Sequence, residues 1–557
     1  MNNKIRVGVL VDSNLIPYWA FEMLNQIKCG DYAEIVLIIK NGLFTEVVNQ
    51  NVFNRVKHSL HCFLNSLVKI LDPLFEKLEV NAFKLKDIHE LLSAVSFITI
   101  KPLQKISSEY FVKEDIAKIK FMNIDVLIKL GFEILRGDVL TCAKYGVWSY
   151  CYADNRVNRG GAVGFWEVIE NWPETGSMLQ VLTEDVYGDK VLYKSYSQTE
   201  TLSFFANKNS LYLKSISFVP RKLKELHELG EVEFLSRINR DNQHPEFYSR
   251  KYYTQPRVAE FILLYFRYYL KLIWKRIEFN LYLQQWLLLY RIDCGVEFSS
   301  SFYEFRKIIP PKDRFWADPF VIFKDDKYFI FVEEYIYKTR KGHISCLTID
   351  KEGNYSMPEK IIEKTYHLSY PFVFYYNNEY YMIPETASNR TVDLYKCVEF
   401  PNKWEFKKTL IDNISAFDVT LFNKDGKWWL FTNVIENRGA VSTDELFLFF
   451  SSDLFSGHWT PHPMNPIVSD VRSARPAGNI FYYNKNIYRP SQNSSKHYGN
   501  GIKINQIITL TEYEYKEVCV NEVEPLWDKN IYGCHTFNYA GGLTVIDGLT
   551  KRSKYFE

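Results

Sequence analysis

The sequence predicts a multidomain chain: an α/β domain built on an open parallel sheet, a helical connector, and an all-β five-bladed propeller. Three observations carry that prediction. The chain has 557 residues, more than one domain of about 150 residues accounts for. Its pattern changes near Trp286, from apolar runs alternating with helical spacing to short strands and turns. Beyond that point a unit of about 50 residues repeats.

Composition narrows the class. Hydrophobic residues at 47% and charged residues at 24% are ordinary globular values and exclude a disordered or coiled-coil chain. Lysine and arginine total 68 against 66 acidic residues, a net charge of +2. That balance lacks the electrostatic footprint of a dedicated nucleic-acid binder, so no nucleic-acid partner is expected. Aromatic residues reach 17%, which favours strands and ring-lined polar pockets. Nine cysteines without a Cys-x-x-Cys pair predict neither a disulfide framework nor a zinc site and point to a reducing, cytoplasmic setting. The opening run Lys4 to Asp12 reads as a strand rather than the apolar centre of a leader. The most apolar stretch, Phe261 to Trp274, contains Arg267 and Lys271 and falls short of the roughly 18 residues that a membrane span needs.

The first domain is placed at residues 1–235. Strands are expected at Lys4 to Asp12, Ala33 to Ile39 and Asp125 to Leu130, with a helix over Ile16 to Ile27. A helical insertion near 50–120, most plainly Val52 to Leu92, interrupts the alternation. The connector, 236–285, contains a stretch (256–282) in which Phe261, Leu264, Tyr265, Tyr268, Leu272 and Ile277 recur at helical spacing among Arg257, Arg267, Lys271, Lys275 and Arg276. Two readings stand. The stripe packs between domains while the basic residues reach outward, or the helix lies on an anionic membrane surface and makes the chain peripheral at the inner face of the membrane.

The propeller is placed at 286–557. Four segments superimpose, beginning at Phe320, Phe372, Thr420 and Asn479 and ending at Phe331, Ile383, Phe431 and Pro490. Each reads as two alternating strands around a turn of Asp, Asn and Gly residues. A degenerate copy from His535 to Gly548 supplies the fifth blade, and Trp286 to Ile292 is expected to join it and close the ring.

Propellers gather function at the central channel. The blade starts carry Trp316-Ala-Asp318-Pro, Ser369-Tyr370-Pro, Phe417-Asp418-Val, Arg475-Pro-Ala-Gly and Cys534-His535-Thr. Asp318 and Asp418 recur at equivalent places and are the candidate catalytic carboxylates, with Glu385 or Glu334 as a candidate acid. Trp316, Tyr370, Arg472, Arg475, Arg489, Gln492 and His535 are candidate substrate-binding residues. The arginines suit a phosphate or carboxylate, or else pair with blade carboxylates. No metal site is predicted: His58 and His61 beside Cys62 lack a fourth ligand, and Pro461 spoils helical geometry between His458 and His462.

Three resemblances add to this reading. Asp125-Val-Leu-Ile-Lys-Leu-Gly, Gly146-Val-Trp-Ser-Tyr-Cys, Arg159-Gly-Gly and Glu174-Thr-Gly-Ser resemble the N-terminal domain of the methionyl-tRNA and sugar N-formyltransferases. That likeness implies an Asn-x-His pair and a downstream Asp for formyl transfer. Here Ser149 and Cys151 stand at the pair's positions and Asp185 near the carboxylate's. Cysteine cannot replace imidazole as a proton carrier near neutral pH, so a degenerate site is expected, with Cys151 read as an inert thiol. N10-formyltetrahydrofolate is a cofactor only if formyl transfer survives, and no other cofactor is expected.

In the second part, Ala317-Asp318-Pro and Asp418 resemble the five-bladed glycoside hydrolases of families 43, 32 and 68. Arg314-Phe-Trp-Ala-Asp-Pro-Phe, Tyr381-Met-Ile-Pro-Glu, His462-Pro-Met-Asn-Pro-Ile, Arg475-Pro-Ala-Gly and Gly533-Cys-His-Thr-Phe are similar to the N-terminal domain of glucosamine inositolphosphorylceramide transferase. The expectation is a carbohydrate-active, transferase-like, bacterial-type protein of surface-polysaccharide or glycolipid biosynthesis, whose propeller processes a sugar-phosphate or nucleotide-sugar substrate. The alternatives are an N-formyltransferase acting on a nucleotide-linked amino sugar, and a non-catalytic glycan-binding scaffold. The sequence leaves the oligomeric state open.

Overall fold

The computed structural model describes residues 3–43, 78–105, 108–154, 163–185, 188–245, 247–254, 256–293, 295–455 and 457–555. The chain forms two compact units. The first comprises Met1–Ser195, Thr199–Glu260 and Asn437–Val441; the second comprises Tyr196–Gln198, Phe261–Glu436 and Ser442–Glu557.

A seven-stranded sheet organises the first unit. Its spatial order is Lys190–Gln198, Glu174–Val181, Val147–Cys151, Val126–Lys129, Ile5–Val11, Ala33–Asn41 and Ser96–Ile100. The five strands from Val147–Cys151 to Ser96–Ile100 run parallel. Val7, Val9, Leu10 and Val11 of the central strand are all buried, the continuous apolar run of a strand covered on both faces. Glu174–Val181 instead runs antiparallel to Val147–Cys151, which corrects the wholly parallel sheet expected. Among the described residues its connection holds only the six-residue helix Phe165–Glu170, about 9 Å long.

The first helix begins at Tyr18 rather than Ile16, because Leu15–Pro17 is extended, with Pro17 at φ −66° and ψ 151°. It buries Trp19, Ala20, Met23, Leu24 and Ile27 on one face. Of the expected helical insertion, 52–77 lies outside the described residues. The described remainder is mixed rather than helical: strands Leu85–Asp87, Ser96–Ile100, Leu103–Lys105 and Ser108–Tyr110 accompany helices His89–Leu92 and Lys113–Phe121. The run Phe97-Ile-Thr-Ile, rich in β-branched residues, suits the pleated surface it joins. Helix Phe218–Asp241 is broken at Gly230, φ 74° and ψ 171°, and helix Val258–Leu281 leads into strand Tyr282–Ile292. Among the described residues no helix is long and apolar enough to cross a membrane.

The second unit is five antiparallel sheets in succession, with four or five strands each. Blade 1 runs from Arg314–Lys324 to Glu359–Ile362, blade 2 from Ser369–Tyr376 to Lys403–Asp412, blade 3 from Ala416–Lys424 to Val468–Ser469, and blade 4 from Phe481–Tyr483 to Tyr515–Val523. Blade 5 combines Tyr282–Ile292 and Arg306–Ile308 with Ile531–Gly533, Phe537–Ala540 and Leu543–Ser553. The ring closes because Tyr282–Ile292 pairs antiparallel with Leu543–Ser553 along its whole length.

Local chemistry explains why the pattern repeats. Every blade's inner hairpin turns on two residues with positive φ: Asp325-Asp326, Asn377-Asn378, Asp425-Gly426, Asn484-Lys485 and Gly541-Gly542. This is the mirror-image turn whose twist matches that of antiparallel strands, and Asn, Asp and Gly reach it most cheaply. Between blades 1 and 2 the rings interlock, with Phe320 and Tyr370 edge to face at 4.9 Å and Phe331 against Trp404 at 5.8 Å.

Candidate functional site: a carboxylate cluster on the propeller axis

Three inner strands share one distortion. The register of the first and second strands slips by one residue between Ala317 and Phe320, between Ser369 and Phe372, and between Phe417 and Thr420. At each slip a bulky or charged residue takes positive φ: Asp318 at 52°, Tyr370 at 41° and Asp418 at 52°. Such backbone is unfavourable for side chains of this size, by about 1–3 kcal/mol each, and a bulge re-aims the side chain it carries. Local structure thus turns these three residues inward at the same level of three blades.

The second strands contribute a matching tier. Glu333 lies opposite Ala317, Glu385 opposite Ser369 and Asn433 opposite Phe417. Gln492 occupies the same place in blade 4, six residues after its strand begins at Asn486, as Glu333 follows Lys327. All four side chains are buried. Glu333 and Asn433 are not among the residues singled out from sequence.

Contacts across the ring show the convergence. Arg475 of blade 4 holds Asp418 with Nε 2.5 Å from Oδ2 and Nη2 3.1 Å from Oδ1, and its Nη2 lies 3.6 Å from Glu385 Oε2. Gln492 Nε2 donates to Asp418 Oδ2 at 2.8 Å. His535 of blade 5 faces Asp318 of blade 1, Nε2 to Oδ1 3.3 Å, and Thr536 Oγ1 donates to the same carboxylate at 2.8 Å. Tyr370 of blade 2 accepts the Gly478 amide of blade 4 at 2.8 Å and meets Thr420 Oγ1 of blade 3 at 2.9 Å. Rings wall the cluster: Trp286 lies 4.1 Å and Tyr498 5.3 Å from the His535 ring, and the Arg475 guanidinium sits 5.1 Å over Tyr498. Tyr498 is 38% exposed, so this wall reaches solvent.

Five buried carboxylates, Asp318, Glu333, Glu385, Asp418 and Asp547, therefore share two cationic partners, Arg475 and His535. Charge cannot be borne equally by all of them. Burial drives the Glu333 carboxyl well above its ordinary range, helped by Asp318 and Glu385. Burial does the same to Glu385, with Asp418 adding to it and Arg475 opposing. Asp318 is pushed up to about 6 by burial, against the pull of His535 and with Asp418 and Asp547 adding. Burial works against a charged His535, but Asp547 and Asp318 outweigh it and raise its pKa. Burial thus drives Glu333 and Glu385 toward the protonated form beside an Asp418 gripped by Arg475, the unequal environments that acid/base chemistry requires.

Asp318, His535 and Asp547 also place one ligand atom each within 4.8 Å of one another and could offer them to a cation. The Asp547 carboxylate already accepts the amides of Asp318, His535 and Thr536. Both ring nitrogens of His535 face carboxylates, with Nδ1 2.6 Å from Asp547 Oδ2, the surroundings of an imidazolium.

With this geometry in place, similarity to known proteins locates the unit. Residues 309–538 match the family model described as glucosamine inositolphosphorylceramide transferase 1, N-terminal. The chain is 37% identical over 210 residues to glucosamine inositolphosphorylceramide transferase 1 of Oryza sativa subsp. japonica, covering 37% of this chain and 28% of the relative. It is 34% identical over 207 residues to the Arabidopsis thaliana protein, covering 37% and 27%. The match thus spans little more than a quarter of either relative's length. Both are plant proteins, whereas the sequence reading expected a bacterial type. The matched segment begins after residue 260 and lends no support to the formyltransferase resemblance of the N-terminal part. Among solved structures, the chain is similar to the catalytic domain of a Coprinopsis cinerea family 62 α-L-arabinofuranosidase, at 12% identity and a TM-score of 0.33, covering 43% of this chain and 92% of that one. It is also similar to a thermostable family-43 glycoside hydrolase, at 14% and 0.32, covering 43% and 90%. Likenesses at these scores say nothing about what the axial residues do.

The remaining sequence candidates lie apart from the cluster. Arg489 is buried in a two-pronged pair with Glu517, Nε to Oε2 2.8 Å and Nη2 to Oε1 2.6 Å, and Arg472 grips Asp470 through Nε at 2.8 Å. Neither faces the axis. Trp316 is buried and gives its indole N–H to Glu334 at 3.2 Å. Glu334 also accepts from Arg314 and Ser345 and meets His343. Despite burial, those partners pull Glu334 down to about 2, so it holds blade 1 together and cannot serve as the acid. His462 meets the Thr511 carbonyl and accepts the Met464 amide, a loop clamp. His58, His61 and Cys62 lie outside the described residues.

In the first unit, Ser149 and Cys151 sit in strand Val147–Cys151 opposite Gln180 and Met178. Burial, aided by Asp189, pushes the Cys151 thiol up to about 11, which leaves little thiolate at neutral pH. Asp185 is exposed. The partly buried carboxylate of that loop is Asp189, which accepts from Gln180 Nε2 at 2.6 Å and the Thr183 amide at 2.7 Å.

Proposed function

We propose that the propeller is a carbohydrate-active transferase domain whose axial cluster binds a sugar-phosphate or nucleotide-sugar unit and transfers its glycosyl group, in glycolipid or surface-polysaccharide assembly. One observation carries this reading. Asn433 Oδ1 and Gln492 Oε1 are buried acceptor atoms with no hydrogen-bond partner among the described residues, and Glu385 Oε2 has no hydrogen bond beyond the 3.6 Å approach of Arg475 Nη2, all on one tier of three blades. Buried acceptors call for donors, and a polyhydroxylated ring presents several at once. The aromatic walls, Trp286 and Tyr498, offer the flat apolar faces against which a sugar ring packs. The plant relatives of the matched segment, named glucosamine inositolphosphorylceramide transferase 1, support the substrate class.

The chemistry follows from the charge division. Asp318, ionised above about 6, takes the proton of the acceptor hydroxyl as its oxygen bonds to the sugar's anomeric carbon. Glu385, held protonated, gives its proton to the oxygen that leaves. Burial keeps Glu385 protonated, and Asp418, locked by Arg475 and Gln492, adds to that through like charge.

The test is turnover against a panel of nucleotide sugars and sugar phosphates with hydroxyl acceptors, read across pH. The expected kcat/KM profile is a bell. Activity rises as pH climbs through about 6, where Asp318 loses its proton, and falls at higher pH as the acid ionises. Glu385→Gln should remove the falling limb. A flat profile, or a bell unchanged in Glu385→Gln, would overturn the assignment.

A further inference from the structure

The helix Val258–Leu281 has two apolar faces, and packing accounts for only one of them. Phe261, Tyr265 and Tyr268 are buried, the inward stripe that helical spacing predicts; Ile277, counted in that stripe from sequence, is instead exposed. On the other side Ile262, Leu263, Phe266, Leu270, Ile273 and Trp274 are each 50–68% exposed. At about 100° per residue these six and Ile277 fall within an arc of roughly 120°. Arg267 borders that arc on one edge and Arg276 on the other. Stretches of exposed apolar surface this long mark an interaction site on a folded chain.

We propose that this face docks on the surface of an anionic lipid bilayer, the helix lying in the plane of the headgroups. The charge around the arc selects that occupant. From Phe261 to Leu281 the basic residues are Arg267, Lys271, Lys275 and Arg276, and the acidic residue is Glu278. Glu278 is already met by Lys275 at 3.0 Å and by Lys551 at 2.5 Å. Lys554 adds a further cation at the helix's C-terminal end, donating to the Phe279 carbonyl at 2.6 Å and lying 4.7 Å over its ring. Basic residues beside Trp, Phe and Leu are the pattern of an interfacial helix. A second copy would bring equally basic edges together, which disfavours self-pairing. The helix is not apolar enough to cross, so it rests on the surface.

The test is co-sedimentation of the full chain with phosphatidylcholine vesicles and with vesicles carrying about a third phosphatidylserine. Binding is expected to the anionic vesicles alone and to fall by roughly tenfold between low and high salt, because the attraction is screened within about 8 Å at physiological ionic strength. Leu270→Glu with Trp274→Glu alters exposed positions only, and circular dichroism should match the parent; vesicle binding should drop by at least about tenfold. Recovery that is equal on neutral and anionic vesicles, absent from both, or retained by the double variant would overturn the proposal. A dimer in sedimentation velocity that the double variant abolishes, without vesicle binding, would give the face to a second copy and overturn it as well.

Discussion

Asp318→Asn is expected to lower kcat by about 10²- to 10⁴-fold, the usual contribution of a positioned proton acceptor, while thermal stability changes little. The substitution is clean because of the backbone. Asp318 sits at φ 52°, a left-handed conformation that Asn tolerates as well as Asp. The amide oxygen can still accept from Thr536 Oγ1, as the carboxylate does at 2.8 Å, and His535 keeps Asp547 as an ionic partner. Only the charge is removed. A measured kcat close to the parent's, with the fold intact, would take the chemistry away from Asp318; a change in KM alone would make the cluster a binding site.

Arg475→Met should cost about 3–5 kcal/mol of unfolding free energy near neutral pH, the penalty for stripping the partner from a buried charge. Arg475 is buried and grips Asp418 with two nitrogens, and the nearby Glu385 and Glu333 gain from the same cation. Methionine fills similar space without charge. The sign of the pH dependence follows. With the cation gone, folded-state carboxyl pKa values rise further above their unfolded values, so the added loss grows as pH climbs above the unfolded range near 4 and shrinks below it. Denaturant melts at pH 5 and 8 check this, with the variant closest to the parent at the lower pH. Equal losses at both would mean that Arg475 acts by packing alone.

Much of the second unit was legible because its signals are local. Asp325-Asp326, Asn377-Asn378 and Asp425-Gly426 announce their turns in two letters, and the strand at Trp286 that joins the last blade was readable from its short apolar run. The bulges were not. Pro319 and Pro371 hint at a break in the ladder, yet the slip that turns Asp318 and Tyr370 inward is a property of pairing with the second strand. Gln492 and Glu385 of the second tier were named from sequence, and Glu333 and Asn433 were within reach: the aligned repeats stop at Phe331 and Phe431, two residues short of them. Arg489 was misplaced for a different reason. Its partner Glu517 lies 28 residues on and two strands away, and residue type alone cannot separate a ligand-binding guanidinium from a buried structural one. In the first unit the antiparallel strand Glu174–Val181 depends on how the chain returns along the sheet, which periodicity does not encode. For helix Val258–Leu281 the sequence offered the membrane-surface reading but drew its stripe through Phe261, Tyr265 and Tyr268, the buried side, because spacing alone does not say which of two apolar faces packs.

The central claim is that a sugar is held on the propeller axis by the tier of Glu385, Asn433 and Gln492 and worked on by Asp318. A crystal structure of the chain soaked with a nucleotide sugar or sugar phosphate tests it most directly. The account predicts density on the axis, with sugar hydroxyls donating to Glu385 Oε2, Asn433 Oδ1 and Gln492 Oε1 and a ring face against Tyr498. Ordered density in the first unit beside Ser149 and Cys151, with the axis unchanged, would contradict it.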